Sequence, residues 1–147
     1  YNRAVVEPVM GFCTPQQYEQ FLEQVVILEK MLVEDGMLIV KFWFSIKMEE
    51  QKERIQKRLE SPLMRWKVSP VDLAAQEKWQ AFTTYKNRMF AQTHTEHCPW
   101  VIVRGDTREE SRIQAMRYIL SLIDYPDKSD QVLSPDQSKV FSWEANL

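Results

Sequence analysis

Met37-Leu38-Ile39-Val40-Lys41-Phe42-Trp43-Phe44 is a near-continuous apolar run bounded by Gly36 and Ser45. A strand of a parallel sheet covered on both faces reads this way, because neither side alternates toward solvent. Upstream, Thr14-Pro15 supplies a hydroxyl N-cap and then proline at the first helical position. Tyr18, Phe21, Leu22, Val25, Leu28, Glu29, Met31 and Leu32 follow mostly at helical spacing to about Glu34, where Asp35-Gly36 stops the helix.

Downstream, Ser45 is positioned to cap a charged helix from about Met48 to Glu60, which Ser61-Pro62 ends. A short basic and aromatic loop, Leu63 to Val68, leads into Ser69-Pro70-Val71-Asp72, a capping-box pattern that opens a helix over about 70–93. Pro99-Trp100 introduces a second strand, Val101-Ile102-Val103, which ends at Gly105-Asp106 before a helix from about Arg108 to Ile123. Residues 126–147 contain Ser, Asp and Pro and read as an extended or partly disordered tail. Strand–helix alternation predicts an α/β fold with parallel pairing. Two strands alone do not make a stable sheet, so further strands are expected from elsewhere.

The chain has 147 residues, 44% apolar and 27% charged, enough for a sizeable core. Nineteen basic against 21 acidic residues give a net charge of −2, so any anion site must arise from local clustering. Two cysteines, Cys13 and Cys98, make no disulfide framework and point to a reducing, cytoplasmic setting. No apolar run approaches the roughly 20 residues that cross a bilayer, and no membrane partner is expected. The five tryptophans read as core and lid packing, and no basic–aromatic interleaving marks a nucleic-acid surface.

Four cations, Arg54, Arg58, Arg65 and Lys67, fall at the end of one helix and in the loop after it. Arginine grips phosphate oxygens bidentately, and several together neutralise a chain of phosphates. The alternative is a solvated helix face laced with ion pairs, since Glu50, Glu53 and Glu60 lie nearby. Arg104, Asp106, Arg108 and Arg112 flank the C-terminal end of the second strand, where ligands bind in open α/β sheets. Arg112 could equally pair with Glu109. His94, His97 and Cys98 have no second pair of ligands, and no metal site is expected there.

Taken in order, these strings resemble polyphosphate kinase family 2. Tyr1 through Cys13 resembles the stretch after the Walker B aspartate, and Val40 to Ile46 the fourth sheet strand. Arg54, Arg58 and Pro62 to Leu73 are similar to the lid module. Pro99 to Val103 with Asp106, Arg108 and Arg112 resembles the last strand and helix. The resemblance covers about residues 1–125, with the lid at about 47–75. It implies a thymidylate-kinase-like three-layer fold, here a partial P-loop kinase-like domain lacking the N-terminal strands and P-loop, with a helical lid.

The implied activity is reversible, Mg2+-dependent phosphoryl transfer between inorganic polyphosphate and a nucleoside diphosphate, ADP or GDP. The implied working form is a homo-oligomer. By family position, Arg58 and Asp72 carry over as lid residues in catalysis. Asn2, Arg3, Glu7, Arg54, Arg65 and Lys67 carry over as polyphosphate or nucleotide contacts, and Asn2 in place of an acid favours a diphosphate acceptor. The chain opens on Tyr1 and has neither the Gly-rich Lys loop nor the Walker B Asp. The expectation is therefore a piece of a longer enzyme, inactive alone. A non-catalytic polyanion-binding or oligomerisation module and an inactive remnant are the alternatives.

Overall fold

The computed structural model describes residues 1–105 and 107–144. They form two compact units, one of residues 1–26 and 46–92, the other of residues 27–45 and the described residues from 93 onward. The chain is α/β: among the described residues, seven α-helices accompany a three-stranded mixed sheet.

The first unit is helical. A 3-10 turn, Asn2–Ala4, leads into α1 (Val6–Met10), which ends on Gly11 at φ 73°, a left-handed position glycine adopts without a Cβ clash. Next comes α2 (Pro15–Glu34), whose first residues belong to this unit. Its N-terminus is closed reciprocally: Gln17 N–H donates to Thr14 Oγ1 at 3.2 Å, and Thr14 N–H donates to Gln17 Oε1 at 2.9 Å. Then follow α3 (Met48–Glu60), a 3-10 turn (Arg65–Lys67), α4 (Pro70–Glu77) and α5 (Trp79–Thr93). Tyr18 and Leu22 of α2 and Met89 and Phe90 of α5 are buried here, with Tyr18 edge-on to Tyr85 at 5.2 Å between ring centroids.

Two local expectations about these helices are corrected. The helix predicted over 70–93 breaks at Lys78 (φ −98°, ψ 16°), whose Nζ donates to the Val9 carbonyl at 3.1 Å, a contact no local pattern announces. Ser45 does not cap α3. Its N–H donates to Val103 O at 2.9 Å in the sheet, and Lys47 stands at the N-cap without a side-chain bond.

The second unit holds the sheet, in the order β1–β2–β3. Strand β1 (Lys41–Phe44) runs parallel to β2 (Trp100–Val103), with Lys41 opposite Trp100 and Phe44 opposite Val103. The predicted strand began at Met37. Its first four residues lie outside the ladder, which begins at Lys41 opposite Trp100. Every residue of β2 is buried, as a central strand requires.

The purely parallel expectation and the extended tail are both revised by β3 (Val140–Ser142). It pairs antiparallel with β2 through Val101–Ser142, Ile102–Phe141 and Val103–Val140. A short helix, α7 (Asp130–Leu133), precedes it. The open edge of β2 needs partners for its backbone groups, and the tail supplies them. Helix α6 (Arg108–Leu122) is capped by Thr107, which accepts from Glu110 N–H. Val101, Val103, Val140 and Ala115 form a buried cluster, with Phe42 and Tyr118 against it.

One buried polar pair anchors this unit. Lys41 Nζ donates to Glu29 Oε2 at 2.7 Å and to the Thr93 carbonyl at 2.6 Å, and it lies 5.2 Å from the Trp100 ring centroid.

Candidate functional site

The cationic cluster is carried by the helical hairpin α3–turn–α4 of the first unit. Helix α3 is strongly polar and buries only Ile55 among its described residues. Two side-chain polar contacts join it to α4: Gln76 Nε2 donates to Gln51 Oε1, and Arg58 Nη1 stands 3.7 Å from Asp72 Oδ1. Arg58 and Asp72, predicted together from the resemblance, are brought together.

The predicted capping box is present. Asp72 N–H donates to Ser69 Oγ at 3.2 Å, while Asp72 Oδ2 accepts from Ser69 N–H at 2.9 Å and from the Ser69 hydroxyl at 2.7 Å. Partial burial alone raises the Asp72 pKa. The Ser69 hydroxyl and N–H, with the charge of Arg58, outweigh it and hold the carboxyl below its ordinary range.

The other predicted residues are distributed differently. Arg54 forms an ion pair with Glu50 one turn earlier, the solvated-face alternative realised at that position. Arg65 and Lys67 are exposed, and among the described residues neither enters an ion pair. Between them Trp66 is 75% exposed, so it is not packed as the sequence suggested. Its indole N–H donates to Leu63 O at 2.9 Å, and Lys67 Nζ lies 5.3 Å from its ring centroid.

At the N-terminus, Asn2 is exposed. Arg3 Nε donates to Glu7 Oε2 at 2.8 Å, a bond that, with the Glu7 charge, raises the Arg3 pKa. Arg3 and Glu7 therefore occupy each other. No described hydrogen bond or ion pair links Asn2, Arg3 or Glu7 to the Arg58–Asp72 pair.

In the second unit, Asp106 lies outside the described residues. Arg104 covers the Phe141 ring at 4.9 Å, and Arg108 and Arg112 are exposed, neither in a described ion pair. Glu110, not Glu109, is paired here, with Lys139 of the segment before β3. His94 Nδ1 accepts from Trp100 N–H at 3.1 Å, His97 Nε2 lies 3.2 Å from Thr95 Oγ1, and Cys98 is buried. Both cysteines are free thiols, and burial pushes that of Cys98 up.

Magnesium asks for several oxygen ligands in near-octahedral geometry. Among the described residues no group of three or more Asp, Glu, His or Cys side chains could hold a metal ion. Glu7, Glu50 and Asp72 are each engaged by an arginine. These residues do not fit a resident magnesium site. Among the described residues, no helix is long and apolar enough to cross a membrane.

Comparison with known proteins agrees with the resemblance. The family model for polyphosphate kinase 2 (PPK2) matches residues 1–131. An ADP-polyphosphate phosphotransferase of Rhizobium meliloti is 45% identical over 140 residues, 95% of this chain and 47% of that protein. A GDP-polyphosphate phosphotransferase of Mycolicibacterium smegmatis is 46% identical over 133 residues, 90% of this chain and 47% of that protein. The chain thus spans about half the length of these curated relatives. The crystal structure of polyphosphate kinase 2 from Arthrobacter aurescens superposes with a TM-score of 0.63 at 32% identity, over 70% of this chain and 36% of that one. With the match extending from Tyr1 through the hairpin and strands β1 and β2 to Gln131, the chain belongs to the polyphosphate kinase 2 family.

Proposed function

We propose that this chain contributes the lid, about residues 47–75, and the distal strands of a P-loop kinase-like enzyme. That enzyme moves a phosphoryl group between inorganic polyphosphate and a nucleoside diphosphate. The observation that carries the reading is the hairpin itself. It presents Arg58, Arg65 and Lys67 from one short stretch of chain, with Arg65 and Lys67 exposed. A row of cations at this spacing suits a substrate that is a row of phosphates, and offsetting charge on the transferred group is the main catalytic task in such chemistry. Names given to relatives support both ADP and GDP as acceptors.

Arg58 and Asp72 are the residues assigned to catalysis. Arg65 and Lys67 are assigned to the phosphates directly. Arg54, Arg3, Glu7 and Asn2 follow in second place, since the first three are already paired. Magnesium would be carried on the phosphate oxygens rather than by these side chains. The working form is taken to be a homo-oligomer in the cytoplasm, where Cys13 and Cys98 stay reduced.

No Gly-x-x-x-x-Gly-Lys stretch occurs in these 147 residues, so backbone capture of the terminal phosphates has no source within them. The expected result is salt-sensitive binding of polyphosphate by the isolated chain, with no ATP formed from ADP and polyphosphate. ATP synthesis by the isolated chain would refute the inactive-alone reading. Absence of salt-sensitive binding would refute the lid assignment. The second reading, a polyanion-binding module without transfer, rests on the same hairpin. It is favoured if adding a phosphate-loop half of a family member restores no transfer.

A further inference from the structure

The Asp72 carboxylate is held on one oxygen. Oδ2 takes both the N–H and the hydroxyl of Ser69, at 2.9 and 2.7 Å, whereas Oδ1 faces Arg58 Nη1 at 3.7 Å. That separation is beyond hydrogen-bond range. Arg58 is therefore kept near Asp72 by charge alone, and among the described hydrogen bonds it donates none. Arg3 and Arg54 behave differently, for each spends a donor on the carboxylate one turn away.

A guanidinium beside an unhindered carboxylate settles into a bidentate pair that uses both carboxylate oxygens. Here one of the two oxygens is already committed. We propose that Ser69 is a positioning residue: by claiming Oδ2 of Asp72 it prevents that carboxylate from closing on Arg58, and so leaves the guanidinium donors available to a phosphate oxygen. The proposal rests on the reading of Arg58 as a phosphate ligand. It adds a task for Ser69 beyond capping α4.

Polyphosphate binding to the full chain at fixed salt tests it, with Ser69→Ala, Ser69→Gly and Ser69→Thr. Loss of the hydroxyl should weaken binding about fivefold, the scale of one net hydrogen bond. Ala and Gly should weaken it equally, although glycine is a far better helix N-cap than alanine. Thr should restore wild-type binding. In an Asp72→Asn background the Ser69→Ala effect should vanish, because no carboxylate remains to capture Arg58. Wild-type affinity in Ser69→Ala, failure of Thr to rescue, or persistence of the loss in Asp72→Asn would each overturn the proposal.

A second readout does not depend on polyphosphate. The Arg58 guanidinium N–H resonances should exchange with water more slowly in Ser69→Ala than in the wild type or Ser69→Thr. Unchanged exchange overturns the positioning role. Wild-type protein that binds no polyphosphate, with the exchange difference intact, overturns the functional reading alone.

Discussion

Lys41 Nζ and the Glu29 carboxylate lie 2.7 Å apart with side-chain exposures of only 5% and 8%. The ammonium also reaches the Thr93 carbonyl, so strand β1 is joined to α2 and to the end of α5 through a single buried charge. Removing one partner of such a pair leaves the other uncompensated. Glu29→Ala is expected to cost about 3–5 kcal/mol, whereas an apolar replacement of both residues recovers most of that loss. Urea denaturation of the two variants measures the difference.

Asp72 supplies a pH-dependent contribution. Its folded pKa lies below the ordinary carboxylate value, so the folded state binds the proton less tightly than the unfolded chain. The stabilisation is fully present above the unfolded value of about 3.9 and is lost as pH falls through the lower folded value. At pH 7, Asp72→Ala loses the capping box as well and should cost about 1 kcal/mol. The gap between the wild-type and Asp72→Ala melting curves should narrow as the pH is taken below about 4.

His94 titrates with the same sense of pH dependence. Burial, then the nearby Lys41 charge, lowers its pKa below the usual 6.5, and its Nδ1 accepts from Trp100 N–H only when that nitrogen is unprotonated. Stability is highest above the unfolded value and falls as pH drops from about 6.5 through the lower folded value. Replacement by Asn should flatten the slope of melting temperature against pH in that window.

Gly105 sits where a Cβ would stand 2.4 Å from Ser111 Oγ and 2.9 Å from Ser111 N. The side-chain clash could be relieved by rotation, but the backbone clash could not. Gly105→Ala should destabilise the protein by about 1–3 kcal/mol, as overpacking does, and Ser111→Ala should restore only part of it. Thermal unfolding of the single and double variants gives both values.

For the hairpin, removal of one phosphate-binding cation should weaken polyphosphate binding and also flatten its salt dependence. For a single-stranded polyanion the slope of log affinity against log salt is expected to fall by about 0.7 for each such cation removed. Arg65→Ala and Lys67→Ala should each show this fall, and Arg54→Ala, whose cation is paired with Glu50, should show less.

Much of this was legible in the sequence. The apolar run at 37–44 announced β1, the Thr14 and Ser69 caps announced α2 and α4, and Gly36 at φ 91° marks the stop after α2. These are local signals, because a cap or a left-handed glycine is decided by neighbours within about four residues. The order of motifs also carried the family, which the match over residues 1–131 bears out.

Partnership was decided by the tertiary structure. A charged helix reads the same whether Arg54 meets Glu50 or a ligand, and nothing near Arg58 in sequence points to Asp72, fourteen positions on. The tail read as extended or partly disordered from its Ser, Asp and Pro content, yet its residues complete the open edge of β2. Lys41 stands inside an apolar strand, and folding brings Glu29 and Thr93 around its charge. In each case the free energy lies in a long-range interaction that replaces water around a charge or a backbone group, and only folding brings its two ends together.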